Sequence, residues 1–240
     1  SMASSSGLNL LNGGALSGFG SYIGDVTVSS GGSIAPGLSS FVIGDIGTLN
    51  IVGNVTFESG STGIFEMDAT TPDLFDRLNV TGNVVLNSPE LVTLWENVTS
   101  TTLATPTSTY AFITATGSVT GDFGVVHDAV GISGTTTSVL PSSFTYDFTT
   151  AVIDNFWVDL GVDDNWTTNA NWFTNLAPAV GDTVVIENAS SVTLTSTTAN
   201  LLAIQSGADF FNVNAGGNIV TSGEFNQIHG TDINFNDNTS

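Results

Sequence analysis

The sequence predicts an all-β chain built as a β-solenoid, and three observations predict it. The strands are too short to enclose a core singly: Gly47 to Glu66, GTLNIVGNVTFESGSTGIFE, reads as Leu49/Ile51, then Val55/Phe57, then an apolar pair near Ile64 to Met67. Alternation at period two puts Leu49 and Ile51 on one face and Val55 and Phe57 on another, so each strand must stack on equivalents above and below it. The tripeptide Asn-Val-Thr recurs at Asn54, Asn79 and Asn97, a spacing that suits one solenoid coil plus a variable loop.

Taken in order, residues 1–12 are a lead-in whose Ser1-Met2-Ala3-Ser4 reads as the remnant of a cleaved tag. Residues 13–153 form a first array. Its strands are Val26/Val28, Ile34 onward, the Gly47 to Glu66 stretch, Leu78/Val80, Asn83 to Asn87 and Leu91 to Leu94. The inward side chains are expected to include Val28, Leu49, Ile51, Val55, Phe57, Leu78, Val80, Val84 and Leu86. Residues 154–178, DNFWVDLGVDDNWTTNANWFTNLAP, hold Trp157, Trp166 and Trp172 and break the alternation, so a loop or cap is expected there. Alternation returns over 179–240 at Val184/Ile186, Val192/Leu194, Leu202/Ile204, Phe211/Val213 and Ile219. Two arrangements fit this pattern: two consecutive arrays, or one continuous array with a large excursion.

Composition narrows the partners. A single Lys or Arg (Arg77) against 22 Asp plus Glu gives a net charge of −21, which opposes approach to nucleic-acid phosphate or to anionic lipid headgroups. The apolar fraction of 40% is enough for a folded core, yet no apolar run approaches the roughly 20 residues that a spanning helix needs. The near absence of Lys and Arg and the absence of Cys suit a protein exposed outside a bacterial cell.

Five phrases in order carry a resemblance: GDVTVSSGGSIAPGLSS, IGTLNIVGNVTFESGSTGIFEMD, DLFDRLNVTGNVVLNS and YAFITATGSVTGDFGVV contain GG-x-I-APG, G-T-L-x-I-x-G-N-x-T-F, G-S-T, D-x-L-x-V-T-G and an aromatic-led closing phrase. Over about Gly13 to Val126 the chain resembles passenger segments of bacterial autotransporters and related autotransporter-repeat surface proteins. The resemblance implies a right-handed parallel β-helix, a place on the bacterial cell surface and an adhesin-like role. The W-x5-W element followed by P-x3-D-x-V-x-I looks like the opening of a further β-helical array.

Candidate chemistry is sparse. A uronate lyase needs a base that also holds an acidic substrate, and Arg77, beside Asp73 and Asp76, is the one candidate. A glycoside hydrolase needs acids converging on one groove, whereas Asp122 stands alone, Asp163 and Asp164 are adjacent, and Glu58 and Glu66 flank a turn. His127 and His229 are too far apart in sequence to form a local metal pair. Asp154, Asp159, Asp163 and Asp164 supply hard oxygens of the kind Ca2+ takes, without EF-hand spacing. Trp166 and Trp172 are either a sugar-stacking platform or a plug over the end of the second core; the plug is expected. The run Thr135 to Thr137 and Thr193/Thr195/Thr197 are read as outward strand positions.

The functional expectation is a non-catalytic structural and adhesive extracellular module of a large bacterial surface or secreted protein. Its partners would be neighbouring domains of the parent chain and a host-surface or matrix glycan or protein. The alternatives are a carbohydrate-binding module that uses the Trp-rich loop and a β-helical glycan-active enzyme.

Overall fold

The computed structural model describes residues 2–3, 7–37, 46–98, 109–129, 131–158, 160–161, 163–186, 191–196, 201, 203–206, 211–214, 217–221, 225–227 and 233–236. Apart from a single turn of 3-10 helix at Asn169–Asn171, every regular element among them is a strand. The chain divides into two compact units, the second made of Ala151 onward together with the short segment Asn97–Leu103.

In the first unit the strands up to His127 sort into three sheets. Met2–Ala3, Gly20–Ile23, Thr48–Val52, Arg77–Val80 and Tyr110–Ala115 lie side by side in one. Leu8–Leu10, Val26–Val28, Val55–Phe57, Val84–Asn87 and Val119–Asp122 form the second. Ala15–Gly18, Ser33–Pro36, Thr62–Asp68, Glu90–Glu96 and Val125–His127 form the third. All of these pairings are parallel. Each pass of the chain therefore lays one strand on each sheet in a fixed order before the next pass begins.

Register follows from the alternation. Leu8, Val26, Val55, Val84 and Val119 stand in one column of the second sheet, and Tyr22, Ile51, Val80 and Ala115 in one column of the first. The side chains expected inward are buried: Val28, Ile51, Val55, Phe57, Leu78 and Val84 at 0%, Val80 and Leu86 at 2%, Leu49 at 4%. A slip of one residue would turn each such strand inside out, which is why the pattern fixes the pairing.

The corner between the first and second sheets is the same device in successive passes. Asp25 Oδ1 accepts the Asn54 N–H at 2.7 Å, Asn54 Oδ1 accepts the Asn83 N–H at 2.9 Å, and Asn83 Oδ1 accepts the Ser118 N–H at 3.0 Å. The steps are 29, 29 and 35 residues. Glycine precedes each polar residue because the corners stack in close contact: a Cβ on Gly82 would lie 2.3 Å from the Gly53 carbonyl oxygen. This corner, and not Asn-Val-Thr, is the repeating unit. Asn54 sits at the corner, Asn79 lies within a strand of the first sheet, and Asn97 follows a strand of the third.

Connections from the third sheet back to the first differ from pass to pass. One links Gly18 to Gly20, another Asp68 to Arg77, another Glu96 to Tyr110. After His127 the parallel stacking stops. A hairpin of Thr136–Leu140 and Ser143–Asp147 adds antiparallel to Tyr110–Ala115, with Tyr110 opposite Tyr146 and Ile113 opposite Phe144. Its inner face joins an aromatic cluster in which Phe123 meets Phe144 at 4.8 Å and Phe112 meets Tyr146 at 5.4 Å.

The second unit has two parallel sheets. Asn155–Phe156, Thr183–Ile186, Ala203–Ser206 and Phe225–Gln227 make one; Val192–Leu194, Phe211–Asn214 and Ile233–Asn236 make the other. Val184, Ile186, Val192, Leu194 and Ile204 are fully buried between them, with Trp157, Trp166 and Trp172 in the same core. Leu202, Thr197 and His229 lie outside the described residues.

Candidate functional site

The Trp-rich loop is held by its asparagines. Asn171, fully buried, accepts the Gly161 N–H at 2.6 Å and donates to the carbonyls of Asp163 and Asn165 at 2.7 and 3.1 Å. Asn155 donates to the Leu176 carbonyl at 2.8 Å, and Asn169 accepts the Ala177 N–H at 2.9 Å. These bonds satisfy main-chain groups that no ladder reaches, and they turn the indoles inward. Trp166 is 3% exposed and Trp172 1%. Trp172 packs edge-on to Trp157 and Trp166 at 5.1 and 4.7 Å and donates its Nε1–H to the Trp166 carbonyl at 2.7 Å. Neither ring has a face free for a sugar; both are core. The loop aromatic that is half exposed is Phe173, stacked on Phe156 at 4.5 Å.

Of the acids expected for Ca2+, the described ones, Asp154, Asp163 and Asp164, each have their own main-chain or hydroxyl contacts. Asp154 Oδ2 accepts the Thr183 N–H at 2.7 Å and its hydroxyl at 2.8 Å, which ties the loop to the strand Thr183–Ile186. Asp163 Oδ1 accepts the Thr168 hydroxyl at 2.7 Å and the Asn165 N–H at 3.1 Å. Those bonds, the Thr168 hydroxyl first, hold its carboxyl below the usual range. Asp164 is exposed and uses its main-chain carbonyl to accept the Thr193 N–H at 2.8 Å. Asp159 lies outside the described residues. Among the described residues no group of three or more His, Cys, Asp or Glu is placed to hold a metal ion.

The structure buries four carboxylates whose burial the sequence did not show: Glu66, Asp68, Asp76 and Glu96, exposed by only 4, 3, 1 and 3%. Asp68 and Glu96 are register neighbours in the third sheet. The chain after Asp68 turns back along its own strand, with the Asp68 N–H donating to the Leu74 carbonyl and Phe75 bridging Met67 antiparallel. Asp76 fastens this return: its Oδ1 accepts the Gly47 N–H at 2.8 Å and its Oδ2 the Glu66 N–H at 3.0 Å. Asp68 Oδ1 takes the N–H groups of Thr70 and Thr71 at 2.8 and 2.6 Å. Arg77 lies with its guanidinium carbon 4.0 Å from the centre of the Phe75 ring and donates to the Asp73 carbonyl at 3.2 Å.

Carboxylates that accept main-chain N–H groups in a buried turn act as fasteners. Hydrolysis of a glycoside needs an acid and a base facing each other across accessible space, which this burial denies. In the sequence Glu66-Met67-Asp68 and Leu94-Trp95-Glu96 show acids on outward positions beside inward Met67 and Trp95, but not the return of the chain that buries them. Elsewhere Asp122 accepts the N–H of Phe123 at 2.8 Å, and His127 meets Glu90 at 3.7 Å in the third sheet.

At the end of the first unit Tyr146 donates its hydroxyl to Asp128 Oδ1 at 2.8 Å, while the Thr135 hydroxyl donates to Asp128 Oδ2 at 2.7 Å. Burial, with the Asp128 charge, pushes the Tyr146 phenol far above its ordinary value. Tyr110, buried in the same cluster, is pushed up to about 12 by burial and then by Asp73 and Asp68. No protein-family model matches the chain, and no curated protein matches it.

Proposed function

We propose that the first unit is a right-handed parallel β-helix, that the second repeats the architecture as a further array, and that the chain is a non-catalytic structural and adhesive module of a large bacterial surface or secreted protein. The observation that carries this reading is the corner ladder from Asp25 through Asn54 and Asn83 to Ser118. It welds consecutive passes outside the sheets as well as through them. Each pass adds about 4.8 Å of height, so the device builds reach rather than a pocket. The fixed order of the autotransporter-like phrases supports the handedness and the placement outside the cell.

The charge of −21 with one basic side chain supports partners other than nucleic acid or anionic membrane. A host-surface or matrix glycan or protein is the partner class proposed, with neighbouring domains of the parent chain on either side. The test is surface binding of the 240-residue chain to matrix proteins, glycans and host cells, with turnover of the same glycans followed in parallel. Saturable binding without turnover supports the reading. Turnover that is lost on Asp122→Ala or Asp76→Asn would replace it with an enzymatic one.

A further inference from the structure

Glu66, Asp68 and Glu96 adjoin on one face of the third sheet. In the parallel pair Thr62–Asp68 and Glu90–Glu96, Asp68 stands opposite Glu96, and Glu66, two residues back along the strand, stands opposite Leu94. Alternate residues share a face, and register neighbours are about 4.8 Å apart. Asp76 is laid against this face by the return of the chain, its Oδ2 accepting the Glu66 N–H at 3.0 Å.

Two of the four are held as anions. Asp68 Oδ1 accepts the N–H groups of Thr70 and Thr71 and the Thr70 hydroxyl, and Asp76 accepts the N–H groups of Gly47 and Glu66; bonds of this kind favour the ionised carboxylate. Two further negative charges beside them, out of water, cost more than binding protons does. One Lys or Arg in the whole chain cannot neutralise four carboxylates, and that one, Arg77, lies over the Phe75 ring and donates to the Asp73 carbonyl.

Tyr110 marks the same place independently. Its hydroxyl is buried, finds no hydrogen-bond partner among the described residues, and lies within reach of the Asp73 and Asp68 charges. It is a donor left over beside acids. Beyond it Tyr146, with its ring 6.5 Å from that of Tyr110, gives its hydroxyl to Asp128. His127 stands at 3.7 Å from Glu90, toward the other end of the strand pair. Residues 97–109 contain no titratable side chain.

We infer that this cluster is a proton-binding site: Glu66 and Glu96 each keep a proton at neutral pH in the folded chain, beside ionised Asp68 and Asp76, and giving those protons up as pH rises loosens the return between Asp68 and Arg77. An acid that holds its proton more tightly folded than unfolded contributes stability that is fully present below the ordinary Glu range, about pH 4.3, and is lost as pH rises. Asp68 and Asp76 act with the opposite sign, their contribution failing only below about pH 3.9. The return is therefore tightest in mild acid, a property separate from any adhesive role.

The test uses the 240-residue chain. Infrared spectra at neutral pH should show a protonated-carboxyl band that Glu66→Gln and Glu96→Gln each diminish. Asp164→Asn, at an exposed position of the second unit, should leave it unchanged. Hydrogen exchange of the main-chain amides between Asp68 and Arg77, corrected for the intrinsic effect of pH, should show protection falling between about pH 5 and pH 8 by about tenfold per pH unit for each proton released. The double variant Glu66→Gln/Glu96→Gln, which puts a neutral amide in place of each acid, should lose that dependence. Circular dichroism melts verify that the variants fold, and the infrared band of the unaltered chain needs no variant. Absence of the band from the unaltered chain at neutral pH, a band indifferent to both Gln substitutions, or a pH dependence of protection that persists in the double variant would each overturn the inference.

Discussion

The side-chain oxygen of Asn54 accepts the main-chain N–H of Asn83 at 2.9 Å, one pass further along the chain. Asn54 in turn donates its own N–H and its Nδ2 to the carboxylate of Asp25 at 2.7 and 3.1 Å. One side chain thus links three consecutive passes at a corner where the sheets cannot.

Asn54→Ala removes an acceptor and a donor at an exposed corner. The expected loss is about 1 kcal/mol, read by chemical denaturation. A double-mutant cycle with Asn83→Ala should show coupling between the two sites. Strictly additive effects would mean that the ladder carries no shared energy.

Gly82→Ala acts by contact. Its Cβ would stand 2.3 Å from the Gly53 carbonyl oxygen, so the stacked corners must part. A loss of about 1–3 kcal/mol is expected, read as a lower melting temperature; an unchanged melting temperature would mean that the stacked corners can part without cost.

Trp172→Ala empties a site that is 1% exposed and strips the edge-on contacts to Trp157 and Trp166. The expected cost is about 3–5 kcal/mol. Thermal melting measures it, and glycan binding by material that stays folded should be unaltered. An unchanged melting temperature with lost glycan binding would restore the sugar platform.

The two buried phenols set an alkaline limit. Tyr110 has a folded-state value of about 12 against an ordinary 10.0, and Tyr146 is raised as well. The folded state holds these protons more tightly, so their contribution is fully present below pH 10 and is lost as pH rises toward about 12. Denaturation midpoints should be flat in pH on their account up to the ordinary phenol range and then fall. Tyr146→Phe should shallow that fall.

Arg77 is the chain's single site for trypsin. The bond to Leu78 lies in a strand paired on both sides, with Thr48–Val52 and Tyr110–Ala115. Native digestion should be slow and should track the opened population, while denatured chain should give two fragments at once. Rapid native cleavage would mean that this strand is not held as described.

The strands were legible because alternation is local. Leu49, Ile51, Val55 and Phe57 announce their faces within a few residues, and all four are buried. Asn-Val-Thr misled because β propensity supplies that tripeptide in several settings, whereas the Gly-Asp, Gly-Asn and Gly-Ser corner varies in its second letter. The burial of Trp166 and Trp172 was readable from ring size and position. The burial of Glu66, Asp68, Asp76 and Glu96 was not, since it depends on a return of the chain that brings Asp76 back to the Glu66 N–H. The hairpin after His127 was hidden for a related reason: antiparallel and parallel strands share one alternation.

The connections from the third sheet to the first are unequal in length, from the single residue between Gly18 and Gly20 to the longer segment between Asp68 and Arg77. An extra residue within a strand reverses the facing of everything after it, but a doubled connection there costs only about 0.6 kcal/mol in closure entropy. Descent with modification can therefore lengthen, shorten or replace the segments after Gly18, Asp68 and Glu96 while the corners from Asp25 to Ser118 stay in step.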